Sequence, residues 1–118
     1  MTRCVVVLTT ASSEEEGKRI AQKLVEERLA ACVNLIPNIQ SFYYWEGTAR
    51  HDSELLLIIK TIDQRVDELI ERINALHSYN MPEAIALPIR AGSLAYLNWI
   101  REETDRIVSD NKIIIGSD

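Results

Sequence analysis

Several features that would assign a function quickly are missing from this chain of 118 residues. It has no cluster of Lys and Arg, and its formal net charge is -5, which argues against a nucleic-acid or anionic-membrane partner. Its two cysteines, Cys4 and Cys32, are too few for a disulfide framework. The first apolar run, residues 4–8, is too short for a membrane span or a signal-peptide core, so we expect a cytoplasmic protein without a membrane span.

Motifs of catalysis are also missing. No serine lies in a nucleophile-elbow motif, no glycine-rich loop is present to bind phosphate, and neither cysteine has a base partner evident in the sequence. No Cys-x-x-Cys or His-Glu-x-x-His spacing indicates a metal site. The residues therefore specify no reaction.

Strand and helix signals alternate along the chain, and its length predicts a single domain over residues 1–118. Ser12 and Ser13 each precede a glutamate by three residues, which predicts a helix with a capping box that ends near residue 28. Asp63 is predicted to cap a second helix that ends near His77. Pro88 predicts an edge or a bulge in the fourth strand. The predicted strands are residues 3–10, 32–46, 54–61, 83–90 and 112–116, and a third helix begins at 92–93.

Residues 29–61 are typical of a long β-hairpin. Two β-prone runs, 32–46 and 54–61, flank Gly47 and a polar tip. The first run would be about 50 Å long if continuous, whereas a compact chain of this size has a radius of gyration of about 13 Å. The hairpin is therefore expected to project beyond its own subunit, unless Pro37 bends it back.

The order β-α-β-β-α-β predicts an α+β fold of the ferredoxin-like type, with helices on one face of an antiparallel sheet. In the second arm of the hairpin, alternate apolar residues point to opposite faces: Leu55, Leu57 and Ile59 to one, Leu56 and Ile58 to the other. The face without helices would then be apolar, which is rare on monomers and predicts self-association. Alternatively, the third helix and the short C-terminal strand fold over that face.

Three groups of side chains are candidates for a functional site. Lys60 ends an apolar strand and is either a functional amine or part of a structural ion pair. The aromatic residues 43–45 either line a ligand pocket or belong to an interface or core. His77 and Glu83 offer an imidazole and a carboxylate to a divalent ion, or are a helix-end histidine and a solvated glutamate. A complete metal site would need further ligands from elsewhere in the fold or from another chain.

Taken together, six sequence blocks resemble the CutA divalent-cation tolerance family, in the right order and spacing over about residues 5–100. They read LAACVNLIP at 29–37, YWEG at 44–47, KT at 60–61, HSY followed by PE at 77–83, LPI at 87–89 and YLNW at 96–99. The resemblance implies a ferredoxin-like subunit related in architecture to the PII signalling proteins. It also implies a homotrimer whose hairpins pair between subunits, and a link to tolerance of copper and other divalent metals. It gives no reason to predict an enzyme.

The copper ligands proposed for the bacterial prototype of this family are a cysteine in the first strand, a histidine and a glutamate. By position they fall on Thr9, Leu76 and Glu83, so Glu83 alone is retained, with His77 next to the substituted histidine. Without the thiolate, we expect weak binding of Cu(II) or another divalent metal at His77 and Glu83. The alternative is a PII-like signalling or protein-anchoring scaffold with protein partners and no physiological metal site. The residues expected to line a ligand cleft between subunits are Lys60, Tyr44, Trp45 and Trp99.

Overall fold

The computed structural model describes residues 2–105, which form one sheet of four strands and three α-helices. The elements are β1 (Cys4–Ala11), α1 (Glu14–Glu26), β2 (Cys32–Trp45), β3 (Thr48–Ile62), a 3-10 turn (Asp63–Arg65), α2 (Val66–Leu76), β4 (Ile85–Pro88) and α3 (Leu94–Thr104). The sheet has the order β2-β3-β1-β4, and neighbouring strands are antiparallel. The predicted α+β class is confirmed. The predicted strand at 112–116 lies outside the described residues.

The first helix begins as its serines predict. Ser13 is the N-cap, and its Oγ accepts the Glu16 N–H at 3.1 Å. The Glu16 carboxylate reaches back to the N–H of Ser12 rather than that of Ser13, at 3.1 Å. Helix α1 ends at Glu26, two residues before the predicted end, and Arg28 then adopts the left-handed conformation with φ 60°.

The predictions for α2 and β4 are partly wrong. Asp63 makes no capping hydrogen bond with its side chain, and it begins a 3-10 turn that leads into α2 at Val66. The end of α2 at Leu76, just before His77, is confirmed. Strand β4 is four residues long, and Pro88 lies at the edge of the sheet, where its missing N–H costs no ladder bond.

The tip of the hairpin differs from its prediction. Trp45 pairs directly with Thr48, so the turn consists of Glu46 and Gly47 alone, both with positive φ, 50° and 77°. Two residues with φ > 0 match the right-handed twist of the flanking strands. Residues 48–53, predicted to be a polar tip, are instead the start of β3. They are polar because both faces of this part of the hairpin are exposed.

Pro37 does not bend the hairpin back. Pairing shifts by one residue between Ile36 and Ile39, a β-bulge in which Asn38 has φ 60°, and then continues to the turn. The longest dimension is 45 Å and the radius of gyration is 15.0 Å, above the roughly 13 Å of a compact chain of this size. The hairpin therefore projects from the body of the chain.

The main core lies between the sheet and the helices α1 and α2. It contains Leu57 and Ile59 of β3 with Leu24 of α1 and Ile73 of α2, all fully buried. Burial alternates along residues 55–59, as the predicted two-sided strand requires. The side of the sheet that faces away from α1 and α2 is called here the open face.

Helix α3 covers one end of the open face. Ile100 of α3 packs on Cys4 and Ile62, which pair with each other across β1 and β3. Farther along, Ile85 and Leu87 of β4 are each 49% exposed and pair with open-face residues of β1. In the described residues, the third helix thus covers part of the open face and leaves part of it accessible.

Candidate functional site

A cleft of about 740 Å³ lies between the projecting part of the hairpin and the loop that joins α2 to β4. Because the pairing of β2 with β3 continues to the tip, alternate residues of both strands face the cleft on the open-face side. We call this space the hairpin cleft. Its charged and aromatic lining residues are Arg50, Asp52, Glu54, Glu83, Phe42, Tyr43, Trp45 and Tyr79.

Two tyrosine–carboxylate pairs form part of this lining. The Tyr79 hydroxyl donates to Oε2 of Glu54 at 2.7 Å and joins the loop to the hairpin. The Tyr43 hydroxyl donates to the Asp52 carboxylate of the neighbouring strand. Burial and then the bond to Glu54 raise the pKa of Tyr79, and the bond to Asp52 raises the pKa of Tyr43. Both phenols therefore stay protonated donors at neutral pH.

Glu16 fixes the start of the same loop to α1. Its Oε2 accepts the Ser78 N–H at 2.8 Å, and its Oε1 accepts the N–H and the hydroxyl of Ser12 at 3.1 and 3.0 Å. Burial alone would raise the pKa of Glu16, but the hydrogen bonds from Ser78 and Ser12 outweigh it and lower the pKa to about 2. Glu16 is therefore a buried carboxylate that keeps its charge at neutral pH.

The ring of His77 is fully buried and bonded at both nitrogens. Nδ1 accepts the N–H of Tyr79 at 3.0 Å, so the ring proton lies on Nε2, which donates to the carbonyl of Thr10 at 2.6 Å. A metal ion at Nδ1 would have to displace the Tyr79 N–H. Glu83, in contrast, is exposed and lines the hairpin cleft. The shared metal site of these two residues stays a prediction.

The four residues predicted for a ligand cleft lie in different places within one chain. Trp45 lines the hairpin cleft, while its neighbour Tyr44 is 79% exposed on the opposite side of the strand. The Lys60 ammonium donates to Oδ1 of Asn34 near the base of the hairpin. Trp99 lines a separate cavity of about 270 Å³ between α1 and α3. The structure thus brings only Trp45 to the larger cleft.

Of the two substituted ligand positions, Thr9 is fully buried and Leu76 is partly buried. Thr9 has no exposed area, and its Oγ1 finds no hydrogen-bond partner among the described residues. Leu76 packs against the main core. Neither side chain provides a ligand of the type that the resemblance implies, so one chain offers a poor fit to that metal set.

Sequence reasoning missed Asp52, Glu54 and Tyr79 as lining residues of one cleft. Asp52 and Glu54 are two residues apart, the strand spacing that puts both on one face. The polar residues 48–53 favour a tip over a strand, and a tip gives Asp52 no strand face to share with Glu54. The contact between Tyr79 and Glu54 spans 25 residues and depends on where the loop packs, which local patterns do not indicate.

A sequence model of the family described as CutA1 divalent ion tolerance protein matches residues 5–103. This chain belongs to the CutA1 divalent ion tolerance family. A relative from Thermus thermophilus, a divalent-cation tolerance protein CutA, is 52% identical over 99 residues, 84% of this chain and 96% of the relative. A rice relative, the chloroplastic protein CutA 1, is 49% identical over 100 residues, 85% of this chain. The match spans only 56% of the rice relative's length.

Solved structures of CutA proteins share the fold of this family member. The structure of the T. thermophilus divalent cation tolerance protein aligns with a TM-score of 0.84 and 51% identity, over 86% of this chain and 98% of the other. The crystal structure of CutA1 from rice aligns with a TM-score of 0.85 and 48% identity, over 86% and 94% of the two chains. The predicted family is thus confirmed by sequence and by structure.

Two features are absent from the described residues. Between residues 2 and 105, no helix of this CutA1 family member is long and apolar enough to cross a membrane. Over the same part of the chain, no group of three or more His, Cys, Asp and Glu side chains is placed to hold a metal ion.

Proposed function

We propose that this chain acts in divalent-cation tolerance as a homotrimer that binds a metal ion or a small ligand in clefts between subunits, without catalysing a reaction. The proposal rests mainly on the projection of the hairpin and its unpaired outer edge. Its outer strand β2 is an edge strand of 14 residues that projects from the subunit. An exposed edge strand presents unpaired N–H and C=O groups to another chain. The name of the T. thermophilus relative supports the role in tolerance.

The exposed apolar surface also supports assembly. Ile85 and Leu87 on the open face and Phe42, Tyr43 and Trp45 on the hairpin are between 40% and 75% exposed. Burying five such side chains would contribute on the order of 10 kcal/mol, part of which the loss of rigid-body freedom offsets. Surfaces of this kind are rare on monomers.

Sedimentation equilibrium at low micromolar concentration tests the assembly. We expect the mass of three chains for the wild type and for Ala75→Glu, a control on the exposed side of α2. Ile85→Glu, which puts a charge on the open face, should shift the protein toward smaller species. A folded wild-type monomer would contradict the proposal.

Titration calorimetry with Cu(II) and Zn(II) tests the metal part of the proposal. Because one chain lacks a group of three ligands in its described part, we expect weak binding completed by donors from a neighbouring copy. The double variant His77→Ala/Glu83→Ala should lose most of the heat, whereas the exposed control Glu15→Ala should keep it. Unchanged heats in the double variant would remove both residues from the site.

The same lack of a three-ligand group favours a second candidate function, a PII-like signalling or protein-anchoring scaffold. In this case the trimer presents a binding surface to protein partners. Affinity capture by the trimer, repeated with a surface-charge variant that leaves the trimer intact, tests this candidate. Failure to recover the same partner reproducibly would count against it.

The cytoplasm remains the proposed compartment. Names of relatives carry other compartments: the rice relative is called chloroplastic, and the Archaeoglobus fulgidus structure is titled periplasmic. Fractionation of cells that express the full-length protein at natural levels tests this assignment. Recovery with an organelle or the periplasm would contradict it.

A further inference from the structure

We draw no further inference here: the strongest candidate, the cluster of Cys32, Asn34, Lys60 and Tyr96 where the base of the hairpin meets α3, lies on the open face of the sheet, which the proposed assembly buries, and so offers no accessible site.

Discussion

Replacing Glu16 by glutamine removes a buried negative charge and keeps the size of the side chain. In the wild type, one carboxylate oxygen accepts two hydrogen bonds from Ser12 and the other accepts the Ser78 N–H. Glutamine has a single carbonyl oxygen, so its NH₂ group must face a donor at one of these two places. Glu16→Gln is therefore expected to leave a buried N–H unsatisfied and to loosen the loop that begins at Ser78.

The size of the effect follows from the pKa of Glu16, which falls from its ordinary value of 4.5 to about 2 in the folded protein. At about 1.4 kcal/mol per unit, this shift corresponds to about 3 kcal/mol of stability from the ionised carboxylate. Because the folded pKa lies below the unfolded one, the stabilisation is complete above about pH 5. It is lost as the pH falls toward 2. Glu16→Gln has no such group to titrate.

Urea unfolding of the wild type, Glu16→Gln and Glu15→Gln at equal chain concentration and several pH values between 2 and 7 measures this contribution. Equal concentrations are needed because the stability of the proposed trimer depends on chain concentration. At pH 7 the buried variant should be about 3 kcal/mol less stable than the wild type, and the gap should narrow in acid. Glu15→Gln, with its exposed side chain, should follow the wild type. Parallel curves for the wild type and Glu16→Gln would refute the reasoning.

Three further substitutions test single features by their shifts in urea midpoint. Thr9→Val removes a buried hydroxyl that has no hydrogen-bond partner among the described residues and should stabilise the folded protein by about 1–2 kcal/mol. A loss of stability would indicate that Oγ1 does have a hydrogen-bond partner. Glu46→Asn in the hairpin turn, where φ is 50°, should stabilise the folded protein by about 0.5–1 kcal/mol, because Asn tolerates positive φ better than Glu does. A loss of stability would indicate that the Glu46 side chain makes a stabilising contact. Arg72→Lys loses the two parallel 2.8 Å hydrogen bonds to Glu27 and should destabilise the protein by about 0.5–1 kcal/mol, with a smaller loss at high salt. A loss that does not depend on salt would indicate that Arg72 stabilises by packing and not by its charge.

Local signals in the sequence are sufficient to predict most of the helices and strands. The serine cap before α1, the alternating burial of residues 55–59 and the edge position of Pro88 each depend on short-range chemistry, and the structure confirms them. Asp63 failed as a cap because the chain enters α2 through a 3-10 turn, in which the Asp63 N–H bonds to the carbonyl of Arg3. That bond comes from a distant segment, which a local rule does not consider.

The hairpin tip shows a different kind of error. Residues 48–53 are polar, and polar residues between two apolar runs usually indicate a loop. Here they form a strand, because a hairpin that projects from the body of its own chain has no core of that chain to cover and needs no apolar side. The positive φ of Glu46 was not evident either, since glutamate is uncommon at that position of a two-residue turn. The projection of the hairpin and the length of its turn are linked. A prediction that misses the projection therefore also predicts too long a turn.

The hairpin cleft could not be predicted because it depends on a chain of contacts between distant elements. Glu16 at the start of α1 holds the N–H of Ser78, the next residue Tyr79 donates to Glu54, and Glu54 lies on the projecting hairpin. The buried His77 reinforces the same loop through its bond to the Tyr79 N–H. A carboxylate whose first role is to cap a helix therefore also positions one wall of the cleft. It follows that Glu16→Gln should displace Tyr79 and its wall of the hairpin cleft although Glu16 does not line the cleft.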